Sequence, residues 1–165
     1  MEKKKRTILR IITGILTIGI MLLIFSFSAQ NGEASSGTSG KIVEWMIQKI
    51  FQPIFASKEN VIGWLEENLS FIVRKLAHFS IYTALGMSAT GFFFTFEKLT
   101  KKRQVIFAII LGCLYATTDE LHQLFTPGRS GQITDVLLDS VGVIIGTGII
   151  TLVWYLVMKR RKKNS

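Results

Sequence analysis

The sequence predicts an all-α integral membrane protein, a four-helix bundle with interfacial helices in its first extracytoplasmic loop. Three observations carry this. Hydrophobic residues make up 48% of the 165, with mean hydropathy +0.39, more than the core of a small soluble domain requires. Four apolar segments recur, each long enough to cross the roughly 30 Å hydrocarbon core as a helix. Basic residues gather at alternate ends of those segments. The chain reads as a single membrane domain over residues 1–165.

The first segment, 8–27, follows Lys3, Lys4, Lys5 and Arg6. A basic start and small residues at Ser26 and Ser28 also suit a secretory leader, but the apolar run exceeds the usual leader length. An uncleaved span is expected. Residues 30–40 are rich in Gly and Ser and read as a flexible loop. From 41 to 55 apolar residues recur at 42, 43, 46, 47, 50, 51 and 54, the spacing of a helix with one apolar face. It is expected to lie on the outer membrane surface or to cap the bundle, with Trp45 and Trp64 at interfacial depth. A second short helix, about 59–70, leads into the second span, 76–96.

The third segment, 105–125, is uninterruptedly apolar only to residue 118, about 21 Å of helix. Asp119 and Glu120 must therefore lie below the outer surface and face other helices or a wet cavity. The fourth span is 136–158, and its Gly142 and Gly146 form a GxxxG step that permits close helix approach. The single cysteine, Cys113, excludes an internal disulfide and reads as packing.

Orientation follows from charge. Of the 20 basic residues, 14 fall at the amino end, the connection after the second span and the carboxyl end, all on one side of a four-span arrangement. The formal charge of +9 divides into about +12 inside and −3 outside, so both termini are expected in the cytoplasm and the polar groups outside. Basic residues beside every inner helix end are what topology alone requires, and no nucleic-acid partner is expected.

The chemistry-bearing residues fall at the outer ends of three spans. Lys75, His78 and Tyr82 are spaced i, i+3 and i+7, along one helix stripe. Asp119 and Glu120 are adjacent, with His122 and Gln123 within a turn. Two acids in low dielectric have raised pKa values unless paired, so one of them is a candidate to move a proton. They can equally serve to neutralise Arg74, Lys75 and Arg129. Arg129 sits in a TPGRSGQ turn, placed to grip a carboxylate or phosphate. Asp135 and Asp139, at i and i+4, share one face at the start of the fourth helix.

Together, SFSAQ (26–30), K-x-x-H-F-x-x-Y (75–82), D-E-x-x-Q-x-F-x-P-G-R-x-G (119–131) and D-V-x-x-D-x-x-G (135–142) resemble the VanZ-like family of small bacterial membrane proteins. The resemblance covers about 26–150. It implies a cell-envelope role, with lowered sensitivity to teicoplanin-type glycopeptides, and marks Ser28, Gln30, Lys75, His78, Tyr82, Asp119, Glu120, Gln123, Arg129, Asp135 and Asp139 as its polar positions. Many members carry Asn where this chain has Asp139.

Two functions compete. In an enzyme acting on a lipid-linked envelope precursor, Lys75 and Arg129 hold an anion, Asp119 or Glu120 moves a proton, and His78 is acid or base. In a scaffold, the same pocket holds a membrane lipid or a glycopeptide antibiotic without chemistry. The carboxylates and histidines are adequate ligands for a divalent metal, but no spacing singles one out, and neither a cofactor nor an oligomeric state is legible. A channel is disfavoured because the inner halves of the spans carry almost no polar residues.

Overall fold

The computed structural model describes residues 3–30, 32–55 and 59–163 of the chain. Among them the chain is helical and contains no strand: α1 (Lys3–Ser28), α2 (Gly32–Met46), a π-helical turn (Ile47–Phe51), α3 (Gln52–Phe55), α4 (Glu59–Phe93), α5 (Lys101–Gln123) and α6 (Ile133–Lys163). In α1 the hydroxyls of Thr13, Thr17 and Ser26 donate to carbonyls one turn back, at 2.8 Å each. Hydroxyls in an apolar helix are thereby satisfied within the helix itself. Thr100 caps α5 by accepting from the Arg103 amide, and α6 opens with Asp135 in its first turn and ends on Arg160 to Lys163, charges that suit the helix dipole at both ends.

α4 is the centre of the assembly and packs against α1, α2, α5 and α6. A core formed by Ile24 of α1, Tyr82 and Leu85 of α4, Ala116 of α5 and Val143 of α6 ties the long helices together. Val43 of α2 and Ile47 of the π turn form a second core with Leu69, near the start of α4.

The seam between α4 and α6 is closed at backbone distance. A β-carbon on Gly142 would sit 2.7 Å from the Phe79 carbonyl oxygen, and one on Gly146 would overlap the carbonyl of Thr83. The GxxxG step of α6 thus lies directly on the α4 backbone. One turn away the seam is reciprocated: Val143, fully buried, seats its backbone on Gly86 of α4 and its side chain on Gly112 of α5.

Two expectations are corrected. The Gly/Ser stretch is not a flexible loop, since helix begins at Gly32. Burial of Val43 and Ile47 against Leu69 anchors the downstream half, and the helix propagates upstream through residues whose weak propensity costs less than nucleating a new helix would. Residues 59–70 are not a separate helix either. They run without a break into α4, whose 35 residues span about 52 Å. Of the apolar residues of 41–55, Val43, Met46, Ile47 and Phe51 meet α4 while Ile42, Trp45, Ile50 and Ile54 remain exposed.

Among the described residues, three helices are long and apolar enough to cross a membrane: Lys3–Ser28, Lys101–Gln123 and Ile133–Lys163. Large apolar side chains cover their outer faces, Ile15, Leu22, Leu114 and Leu152 among them. α4 has the length, but His78, Ser80, Tyr82, Thr83, Ser88 and Thr90 dilute its apolar run.

Candidate functional site

The polar residues of α1, α4, α5 and α6 converge at one end of the bundle in three linked layers. The deepest centres on Asp119, only 4% exposed. The Ser28 hydroxyl, fully buried at the end of α1, donates to Asp119 Oδ2 at 2.7 Å. Gln123, one turn along α5, donates from Nε2 to the same oxygen at 3.2 Å and to Ser28 Oγ at 3.3 Å. The Tyr82 hydroxyl and Asp139 lie within electrostatic reach of Asp119. The Tyr82 hydroxyl, Asp119 Oδ1 and Asp139 Oδ1 are all buried without a hydrogen-bond partner among the described residues.

The second layer is the turn between α5 and α6. Gly128 adopts φ 73°, a left-handed conformation open to glycine at little cost, and the turn carries Arg129 back over the end of α1. Arg129 donates from Nε to the Gln30 carbonyl at 3.1 Å, from Nη1 to Gln123 Oε1 at 3.2 Å and from Nη2 to the Phe27 carbonyl at 3.0 Å. Burial, followed by the nearby positive charge of Arg74, pushes the Arg129 guanidinium below its usual pKa, while Asp119 and Glu120 oppose that shift. Glu120 Oε1 accepts the Gln132 amide at 2.6 Å and so pins the far side of the turn.

The third layer is a ladder between α4 and α6. Lys75 forms an ion pair with Asp135, and His78 Nδ1 lies 3.6 Å from Asp139 Oδ2. Residues three apart on one helix meet residues four apart on the other, which is how two stripes at these spacings mate. In front of this ladder and the turn opens a polar cleft of about 170 Å³, walled by Arg74, Lys75, His78, Gln123, Arg129 and Asp135 with Asp139 at its side. A second, apolar groove of about 250 Å³ lies between α1, α2 and α4, lined by Ile24, Phe27, Ile42, Val73, Ala77 and Ile81. Arg74, His78 and Arg129 border both spaces.

The structure therefore brings the sequence-selected residues together, but in different ranks. Lys75, His78, Gln123, Arg129, Asp135 and Asp139 line the cleft. Ser28, Tyr82, Asp119 and Glu120 stand behind its wall, and Gln30 contributes its backbone carbonyl to Arg129. Of the two polar groups within a turn of the acids, Gln123 turns to Asp119 and Ser28, and Glu120 takes the Gln132 amide instead. His122 takes no part: its ring packs on Phe25 with centroids 4.9 Å apart. Among the described residues no three of His, Cys, Asp and Glu gather closely enough to hold a metal ion. Sequence reasoning treated Arg74 only as a counter-charge for the acids and overlooked it as a wall of the cleft. One residue before Lys75, it points about 100° away, toward α1, and the stripe argument passes it by.

The fold and site define an all-α protein with helices long and apolar enough to span a membrane and a buried polar network at one bundle end. The chain belongs to the VanZ/LLP1 family, whose pattern matches residues 13–155. No curated protein and no solved structure matches it.

Proposed function

We propose that the protein is a multi-pass bacterial membrane protein in which α4 crosses the bilayer alongside α1, α5 and α6, with both termini in the cytoplasm and the cleft facing outward, and that the cleft binds or modifies an envelope amphiphile. The observation that carries this reading is the junction of a polar cleft with an apolar groove across Arg74, His78 and Arg129. A polar head and an apolar chain on one molecule match two such spaces that share a wall.

Topology is supported by the opposite end of the bundle. There Arg6 pairs with Glu97, Arg10 donates to the Thr95 carbonyl and lies over the Phe96 ring, and Lys101 lies over the rings of Phe94 and Trp154. These contacts gather the amino end, the α4–α5 connection and the last part of α6, the three basic regions, onto one side, as the positive-inside rule asks.

Binding is the stronger of the two activities. Lys75 is taken up by Asp135, Glu120 by a backbone amide, and Asp119 by Ser28 and Gln123, so these groups act as a frame that holds Arg129 in place. One observation favours chemistry: His78, oriented by Asp139 on the cleft wall, has the arrangement of an acid–base group. Family membership makes lowered sensitivity to teicoplanin-type glycopeptides the envelope phenotype to test. In a sensitive Gram-positive host, the wild type is expected to protect, and Arg129→Lys, expressed to an equal level, to lose protection; Glu120→Gln, whose amide oxygen still accepts the Gln132 N–H, keeps protection where Glu120 only frames the turn and loses it where its charge or proton is used. Retained protection in His78→Gln favours binding, and its loss favours chemistry. Absence of protection by well-expressed wild type overturns the resistance reading.

A further inference from the structure

Resting on the amphiphile reading, we infer that the ligand is an anionic phospholipid of the surrounding bilayer, its phosphate held between Arg74 and Arg129 and the first part of an acyl chain lying in the groove between α1, α2 and α4.

The charges around the cleft support an anion at that point. Lys75 and Asp135 cancel as an ion pair, and His78 faces Asp139. Arg74 and Arg129 remain on the cleft surface, within repulsive reach of each other. The acids that oppose the Arg129 charge, Asp119 and Glu120, lie behind it and do not line the cleft. Arg74 has no hydrogen-bond or ion-pair partner among the described residues, whereas Arg129 is fixed by three acceptors. A guanidinium carries five N–H donors, so Arg129 retains two. A preformed arginine with spare donors, facing a second arginine across a small polar space, lacks only a bridging anion, and phosphate suits the planar fork of each.

The groove decides that the anion comes attached to a chain. Its lining is apolar, and Phe27 and Ile42 at its rim are about half exposed, on the outer surface formed by α1 and α2. A lipid entering sideways between α1 and α2 can keep the rest of its tails in the bilayer while only the segment next to the headgroup enters the protein. The zwitterionic headgroup of phosphatidylcholine would bring an ammonium toward two guanidiniums, and phosphatidylglycerol would not. Selectivity for net negative charge follows.

The test uses the full chain in nanodiscs made of phosphatidylcholine with a minor fraction of phosphatidylglycerol, extracted into mild detergent and examined for retained lipid by native mass spectrometry. Wild type is expected to retain phosphatidylglycerol over phosphatidylcholine. Arg74→Gln should lower that retention about tenfold, the loss of one charge-assisted contact. Ala77→Phe, which fills the groove and leaves both arginines, should lower it comparably, and Lys162→Gln at the opposite end should not. Detergent size-exclusion profiles and helical circular dichroism identify folded variants, and two substitutions in different spaces keep the inference exposed if one misfolds. Equal retention of the two lipids by wild type, or unchanged selectivity in both folded variants, overturns it. Competition by inorganic phosphate as strong as that by lipid overturns the membrane source. Selective retention without antibiotic protection leaves lipid binding standing and removes the resistance reading, so the two fail separately.

Discussion

α4 meets its two sides in opposite ways. Toward α6 it offers Gly86 and its own backbone to Gly142, Val143 and Gly146, and a single added methyl group has no room there. Toward α1 and α2 it leaves a groove of about 250 Å³ lined by Val73, Ala77 and Ile81. Within a bilayer, burying apolar surface between helices gains little over lipid contact, so association depends on close packing and interhelical hydrogen bonds. The seam and the Ser28–Asp119–Gln123–Arg129 network hold the bundle by these two means, and the groove is free to serve a ligand.

The contrast breaks most directly at the seam. Gly146→Val would drive a branched side chain into the Thr83 carbonyl and the Met87 amide, and is expected to cost about 3 kcal/mol or more, read as a lowered unfolding midpoint in detergent. The same helix supplies its control: a β-carbon at Gly148 meets nothing within 4 Å, so Gly148→Ala should shift stability by no more than about 1 kcal/mol, and toward greater stability. Equal effects at the two positions would show that the seam is not closed.

The hydrogen-bonded network comes next. Ser28→Ala removes a buried donor from Asp119 Oδ2 and is expected to cost about 1–3 kcal/mol in the same assay. Arg129→Lys replaces a fork that reaches three acceptors with a point charge; a loss of about 1–2 kcal/mol is expected, with loss of phosphatidylglycerol selectivity. Preserved selectivity in that variant would mean that charge alone, without the fork, holds the headgroup.

The smallest effect belongs to the groove. Ala77→Phe fills space without displacing backbone, so its midpoint should stay within about 1 kcal/mol of wild type even as lipid retention falls. A large loss of stability would show that α1, α2 and α4 cannot part, and would unite the two sides that the structure separates.

Much of this was legible from residue type and spacing. Lys75 and His78 of the stripe mate with Asp135 and Asp139 as their periods require, because helical geometry is local and repeats along the chain. Asp119 lies inside the bundle because the apolar part of its segment is too short to cross alone. The helical start at Gly32 was illegible, since neighbours distant in sequence stabilise it against local propensity. So was the partner of Glu120, a backbone amide supplied by a turn.

The sequence by itself determined the four long apolar segments, the polar positions and the charge asymmetry of the ends, because these depend on each residue's transfer energy and on a fixed helical period. Only the tertiary structure decided which polar groups stand behind the wall and which face the cleft. It also decided that Val143 would settle between Gly86 and Gly112 and that Arg74 would meet Arg129 across two adjoining spaces. Those outcomes depend on how helices rotate and approach one another, which is set by packing over the whole bundle and written in no single segment.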